Sequence, residues 1–268
     1  MPTHLKKCLF ILPNLFTLSS IFCGYYAIEL SAKAQEPARF DRAALLIIFA
    51  MFFDIIDGRV ARLTRTQSAF GVQLDSLADL ISFGVAPAIL LHYWSLQALG
   101  TLGLVTSFIF VACGAIRLAR FNVLAMGKSG QPHKPGKYIV GLPIPGAAGI
   151  LVSLVATNHA TDGALSESPY AVLAILVLLS ALMVSGIRFR SFKDLRLNVR
   201  TISLFGVAVG SSIFLAVRLH ISFAIAWLLL SYVAIALAEA TLRGMRRLRQ
   251  RRHRVDPDSG LRDSHFTG

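Results

Sequence analysis

Apolar runs of roughly 18 to 25 residues recur along this 268-residue chain, and their length constrains the fold more than any other feature. At about 1.5 Å rise per residue, a helix of ~20 apolar residues crosses the ~30 Å hydrocarbon core of a bilayer. Eight runs have that character, at roughly 9–30, 42–63, 70–93, 98–125, 142–159, 169–187, 201–217 and 220–242. The apolar fraction is 55% and only 15% of residues are charged, more apolar surface than a soluble chain of this size can hide. The expected fold is therefore an all-α polytopic membrane bundle of about eight transmembrane helices. It forms one domain over residues 1–242, followed by a basic cytoplasmic tail over 243–268. Lys6 and Lys7 before the first run resemble the start of a signal peptide, but Pro13 and Asn14 interrupt that run and it continues through Tyr25 and Tyr26, so it is read as a span.

Basic residues set the orientation. With the N-terminus in the cytoplasm, 23 of the 27 lysines and arginines fall on the cytoplasmic side, leaving Lys33, Arg39, Arg42 and Arg218 opposite. An even number of spans places both termini inside. The net charge of +13 then reflects topology and contact with anionic membrane lipids. A nucleic-acid partner is not expected, because no aromatic residue interleaves the arginines between Arg243 and Arg254 for base stacking. The final stretch, 256–268, is polar and expected to be disordered. Cys8, Cys23 and Cys113 lack ligand spacing and read as small apolar residues, and the seven histidines show no metal-binding pattern.

Carboxylates within a span are costly, so each is a functional candidate. Four of them, Asp54, Asp57, Asp75 and Asp79, lie in two consecutive spans joined by the short polar turn Thr64 to Ser68. Asp54, Gly58 and Arg62 repeat at i, i+4, i+8, with Asp57 and Ala61 on the adjacent edge; Gly71, Asp75 and Asp79 repeat the pattern on the next helix. An antiparallel hairpin folded about residue 66 brings both pairs to the same depth, about 14 to 20 Å from the turn. Four anionic groups this close require cations. Aspartate oxygens favour hard ions such as Mg²⁺ or Mn²⁺, and four of them suit two ions about 3.5–4 Å apart, an arrangement common in phosphoryl chemistry. Gly58 and Gly71 leave room for a ligand, and Arg62 can meet phosphate with two parallel hydrogen bonds. The residues alone also admit ion pairing between helices or a cation-transport path.

The string Asp54-x2-Asp57-Gly58-x2-Ala61-Arg62-x8-Gly71-x3-Asp75-x3-Asp79 resembles the signature of the CDP-alcohol phosphatidyltransferase family at every fixed position. The resemblance implies displacement of CMP from a CDP-linked lipid, CDP-diacylglycerol, by an alcohol. It also implies that the four aspartates hold two Mg²⁺ or Mn²⁺ ions, with Asp79 the general base. Gly58, Ala61, Arg62, Ser68 and Gly71 would form the CDP site, with Asn14 and Thr17 of Pro13-Asn14-x2-Thr17 beside the nucleotide. Further stretches resemble the bacterial, serine-using branch of that family: Ser82 to Pro87, Arg117-Leu118-Ala119-Arg120-Phe121-Asn122, Gly141 to Pro145, and Ile187 to Lys193. Gly146 stands where that branch leads one to expect alanine. This part of the resemblance implies L-serine as acceptor and a bacterial inner membrane, with the active site facing the cytoplasm. A serine carboxylate needs a cationic partner, and Arg117, Arg120, Arg188 and Arg190 lie at the right ends of their spans, with Asn122 beside them. Each arginine reads equally well as an interfacial anchor. The metal motif alone leaves glycerol phosphate, inositol or another alcohol open. A homodimer is compatible with the sequence, though no small-residue face stands out.

Overall fold

A computed structural model describes residues 3–64, 66, 68–125, 138–158 and 163–190, with isolated positions between 211 and 234. The chain runs α1 (Thr3–Ala32), α2 (Pro37–Leu63), α3 (Ala69–Asp79), a π turn (Leu80–Val85), α4 (Ala86–Trp94), a 3-10 turn (Leu96–Leu99), α5 (Thr101–Ala125), β1 (Tyr138–Val140), α6 (Ile144–Asn158), α7 (Pro169–Val184) and β2 (Arg188–Arg190). The first six expected spans each have helical counterparts. The spans expected at 201–217 and 220–242, and the basic tail, lie outside the described residues.

Among the described residues, three helices are long and apolar enough to cross a membrane: Leu12–Ala32, Ala69–Trp94 and Thr101–Leu124. The outward faces of the helices carry bare apolar side chains, among them Phe22 and Tyr25 on α1, Phe49 and Phe52 on α2 and Phe108 on α5. Water does not tolerate so broad an apolar coat on a monomer, whereas lipid does. This is a membrane protein.

The core gathers behind that coat. Phe83, Leu90, Leu91, Phe110, Ile144 and Leu151 are fully buried, and small residues let the helices close around them. Gly24 is one such close approach: a Cβ there would stand 2.8 Å from both Cα and Oγ of Ser82 in the π turn. Ser82 Oγ in turn donates to the Ser20 carbonyl at 2.9 Å. α1 therefore lies flush against the π turn and also packs along α2 and on α3, while the backbones of α2 and α3 scarcely approach each other. The expected hairpin is thus splayed, with α1 laid against both arms.

Two further features depart from the sequence reading. The run at 70–93 is not one α-helix, because the π turn inserts after Asp79 and ends where Ala86 donates to the Ile81 carbonyl. Pro87 follows at the start of α4, where its missing N–H leaves no further gap in the ladder. The connections between helices are also not wholly irregular: β1 and β2 pair antiparallel, Val140 opposite Arg188 and Tyr138 opposite Arg190. Gly141, at φ +83°, turns the chain from this ribbon into α6, and a Cβ there would collide with the Met183 carbonyl. Gly146 is not of this kind, since a Cβ there would meet only Leu142 Cδ1 at 4.0 Å and alanine fits.

Replacing Gly24 by valine forces α1 off the π turn. The expected result is a destabilisation of about 1–3 kcal/mol, read as a lowered melting temperature of the detergent-purified protein, with Gly146→Ala indistinguishable from the parent.

Candidate metal centre and active site

The site forms where the C-terminal part of α2 and the facing part of α3 approach one another through their side chains. Glu36 and Pro37 start α2, which ends at Thr64; Thr64 Oγ1 returns to the Val60 carbonyl at 2.7 Å and Thr66 N–H to the Ala61 carbonyl at 3.1 Å. Ser68 then caps α3, its Oγ accepting the Gly71 N–H at 2.9 Å. This tight passage fixes the relative depth of the two helices. As a result Asp54, Asp57 and Asp75 each place an oxygen within 4.8 Å of the others. Asp79, the fourth, is one turn farther along α3. It stands in hydrogen-bond reach of Asp54, while its Oδ1 is buried with no partner.

Thr17 holds Asp57 from the α1 side. Its Oγ1 lies 2.8 Å from Asp57 Oδ2 and 3.1 Å from the Pro13 carbonyl, and the single hydroxyl proton goes to the closer, anionic acceptor. A bond of this kind contributes about 1.5–3 kcal/mol. Asn14, one turn before Thr17, approaches Gly71: a Cβ on that glycine would stand 3.8 Å from Asn14 Oδ1 and 3.2 Å from Ser68 Oγ. On α2, the Arg62 guanidinium folds back over Gly58, with Nη1 3.3 Å from where a Cβ would be. Gly58, Arg62, Gly71, Asn14 and Thr17 therefore all border the carboxylate cluster, as does Ala61 by its place on α2.

α5 closes the site near its C-terminal end. Arg117 is buried, its Nε lacks a partner, its charge is felt by Asp79, and its guanidinium stands 5.7 Å from the Phe121 ring centre. Arg120 is exposed and donates to the Val184 carbonyl at 3.4 Å, tying α5 to the end of α7. Asn122 turns instead to α3, donating to Ser76 Oγ at 2.9 Å and Gln73 Oε1 at 3.4 Å. Arg188 and Arg190 belong to β2, which the Gly141 N–H to Ile187 carbonyl bond at 2.8 Å joins to the start of α6.

The donor set fits a hard divalent cation. Three carboxylates converge, a fourth has a buried oxygen with nothing to accept from, and the described residues near them include no histidine or cysteine. What the sequence did not disclose are the contacts that hold the cluster: Thr17 on Asp57, Ser20 and Gly24 on the π turn, and Ser76 with Asn122. A partial signal existed, because Pro13, Thr17, Ser20 and Gly24 recur three and four residues apart, the spacing of one helix face.

Comparison with known proteins places this geometry among relatives. The family model described as CDP-alcohol phosphatidyltransferase matches residues 10–184. A protein of Helicobacter pylori named CDP-diacylglycerol–serine O-phosphatidyltransferase is 40% identical over 192 residues, which cover 72% of this chain and 77% of that one. An archaetidylserine synthase of Methanothermobacter thermautotrophicus is 37% identical over 180 residues, 66% of this chain and 69% of its own. A CDP-diacylglycerol–serine O-phosphatidyltransferase of Saccharomyces cerevisiae is 39% identical over 143 residues, 52% and 51% respectively.

Removing the Asp57 charge should abolish tight binding of Mn²⁺, followed by the electron paramagnetic resonance signal of the free ion. Thr17→Val, which keeps the shape and loses the hydroxyl, should weaken it by about tenfold, the usual effect of deleting a group that orients a ligand.

Proposed function

The chain belongs to the CDP-alcohol phosphatidyltransferase family, and on that premise we propose that it transfers the phosphatidyl group of CDP-diacylglycerol to L-serine, giving phosphatidylserine and CMP. The observation that carries this reading is the convergence of Asp54, Asp57 and Asp75 within 4.8 Å, in a chain whose relatives are named for transfer to serine. Asp54, Asp57, Asp75 and Asp79 would hold two divalent cations, Mg²⁺ or Mn²⁺. When bound, these ions supply positive charge to the diphosphate and to the leaving CMP oxygen.

The chain's own residues do the rest. Gly58 leaves the surface of α2 bare and Arg62 folds across it, so a phosphate lying there meets a guanidinium fork. Ala61, Ser68, Gly71, Asn14 and Thr17 line the neighbouring edge and form the remainder of the nucleotide site, with Thr17 also orienting Asp57. Asp79 has a buried oxygen with no donor, which makes it the acceptor for the serine hydroxyl proton. The serine oxygen then bonds to the lipid-side phosphorus, and the bond from that phosphorus to the bridging oxygen breaks, releasing CMP. Arg117, beside Asp79 with an unpartnered Nε, receives the serine carboxylate while the hydroxyl faces Asp79. Arg120, Arg188 and Arg190 occupy the same end of the bundle and complete the acceptor region.

Several finer points belong to the same reading. On this reading the protein resides in a bacterial inner membrane with this site toward the cytoplasm, an orientation that the distribution of basic residues supports. Its basic flanks meet anionic lipid, nucleic acid is not a partner, and a homodimer is compatible with its exposed apolar faces. Residues 1–242 form the catalytic membrane domain, with 243–268 as a basic tail.

The deciding experiment measures CMP release from CDP-diacylglycerol by purified protein with Mg²⁺ or Mn²⁺, offering serine, glycerol 3-phosphate or inositol. Release is expected with serine alone; release only with another acceptor would keep the aspartate mechanism and discard the acceptor assignment. Asp79→Asn should lower turnover by about 10²- to 10⁴-fold, and near-parental turnover in a folded variant would end its role as base.

A further inference from the structure

Asn122 stands near the end of α5, where it could face either the acceptor or the protein. Its side chain is already committed. The amide nitrogen has two protons, and it lies 2.9 Å from Ser76 Oγ and 3.4 Å from Gln73 Oε1. Its oxygen faces Ser76 again, 3.3 Å from Oγ. Gln73 and Ser76 are three residues apart on α3 and so share one face of that helix. The amide grips α3 at two points one turn apart.

The position of that grip matters. Ser76 directly follows Asp75 and precedes Asp79 by three residues. α5 packs closely on the π turn, whereas its backbone makes little close approach to α3; Asn122 spans that opening. Nor does α2 support α3 from the other side, since those two backbones also stay apart. With α1 the helix that packs along α3, a grip on Gln73 and Ser76 from α5 bears on how α3 is turned about its axis. A carboxylate about 5–6 Å from a helix axis moves by about 1 Å when the helix turns by ~10°. Shifts of that size decide whether a ligand set fits its ion.

We infer that Asn122 is a positioning residue: bridging Gln73 and Ser76, it sets the rotation of α3 and thereby presents Asp75 and Asp79 to Asp54 and Asp57, instead of touching the acceptor. The inference rests on the reading of these aspartates as metal ligands and is separable from the choice of acceptor. It places α5 in the same relation to α3 that Thr17 of α1 has to α2, each helix steadying a carboxylate-bearing neighbour from behind.

The test compares Asn122→Ala, Ser76→Ala, the double variant and Ser76→Thr, all as full-length detergent-purified protein. Mn²⁺ affinity is read by electron paramagnetic resonance, and kcat and KM for serine by CMP release. Both alanine variants should weaken Mn²⁺ binding and lower kcat by about tenfold, with KM for serine within about twofold of the parent. Ser76→Thr, which keeps the hydroxyl, should restore both quantities. The double variant should be no worse than Asn122→Ala alone, because that change already removes the bond to Ser76. If Asn122→Ala does not fold, the Ser76→Ala and Ser76→Thr pair carries the comparison. A raised KM for serine with unchanged Mn²⁺ affinity would overturn the inference, and so would additive losses in the double variant. Altered Mn²⁺ affinity in a protein that releases no CMP with serine would sustain the grip and remove the acceptor reading.

Discussion

Like charges set close together in an apolar bundle repel one another, and the packing around the aspartate cluster is organised against that repulsion. Asp54, Asp57 and Asp75 bring their oxygens within 4.8 Å. Unopposed, such a group would spread α2 and α3 apart, and these helices have little direct backbone contact to resist it. The resistance comes from behind. Thr17 bonds Asp57, Ser68 locks the first turn of α3, and Asn122 holds Ser76.

α1 is the member on which this arrangement turns. Its inner edge carries Thr17, Ser20 and Gly24, and each meets a different part of the site's scaffold: the metal-facing carboxylate of α2, the hydroxyl of Ser82, and the backbone of the π turn. Small and hydroxyl-bearing residues are what close helix packing in lipid requires, because apolar side chains gain nothing from leaving hydrocarbon for more hydrocarbon. The π turn fits the same logic. One extra residue in the turn changes the facing of everything after it, so α4 presents Leu90 and Leu91 to the core while Asp79, just before it, remains at the site.

Much of this was legible in the sequence, for a physical reason. Hydrocarbon permits only helices, and their length is set by bilayer thickness, so apolar runs mark spans with few competing interpretations. Aspartates within such runs are equally conspicuous, and their spacing on either side of a short turn fixed their common depth. Less visible was everything that depends on rotation about a helix axis. The equal spacing of Asp57 and Asp75 from the turn says nothing of α1 lying against both arms, and Leu80 to Val85 carries no residue that announces a π turn. The ribbon between β1 and β2 escaped notice because three-residue strands in basic connections lack an alternating apolar pattern. Asn122 was assigned to the acceptor region by its neighbours in the chain; its partners, Gln73 and Ser76, are more than 45 residues away.

Charge balance links the cluster to the substrate proposed for it. Four aspartates alone would repel a diphosphate, and the two arginines nearest them, Arg62 and Arg117, offset only half their charge. Two divalent cations, as proposed, would cancel the aspartates and leave both arginines for substrate anions. Their locations would then divide the proposed work: Arg62 lies over Gly58 on α2, at the proposed diphosphate site, and Arg117, whose charge reaches Asp79, lies on α5, at the proposed acceptor side. Arg117 is the more informative of the two. A buried guanidinium with an unpartnered Nε is costly in a membrane protein. An interfacial anchor would serve topology equally well, so its burial within reach of Asp79 supports the proposed role in holding an alcohol that carries a carboxylate, such as serine.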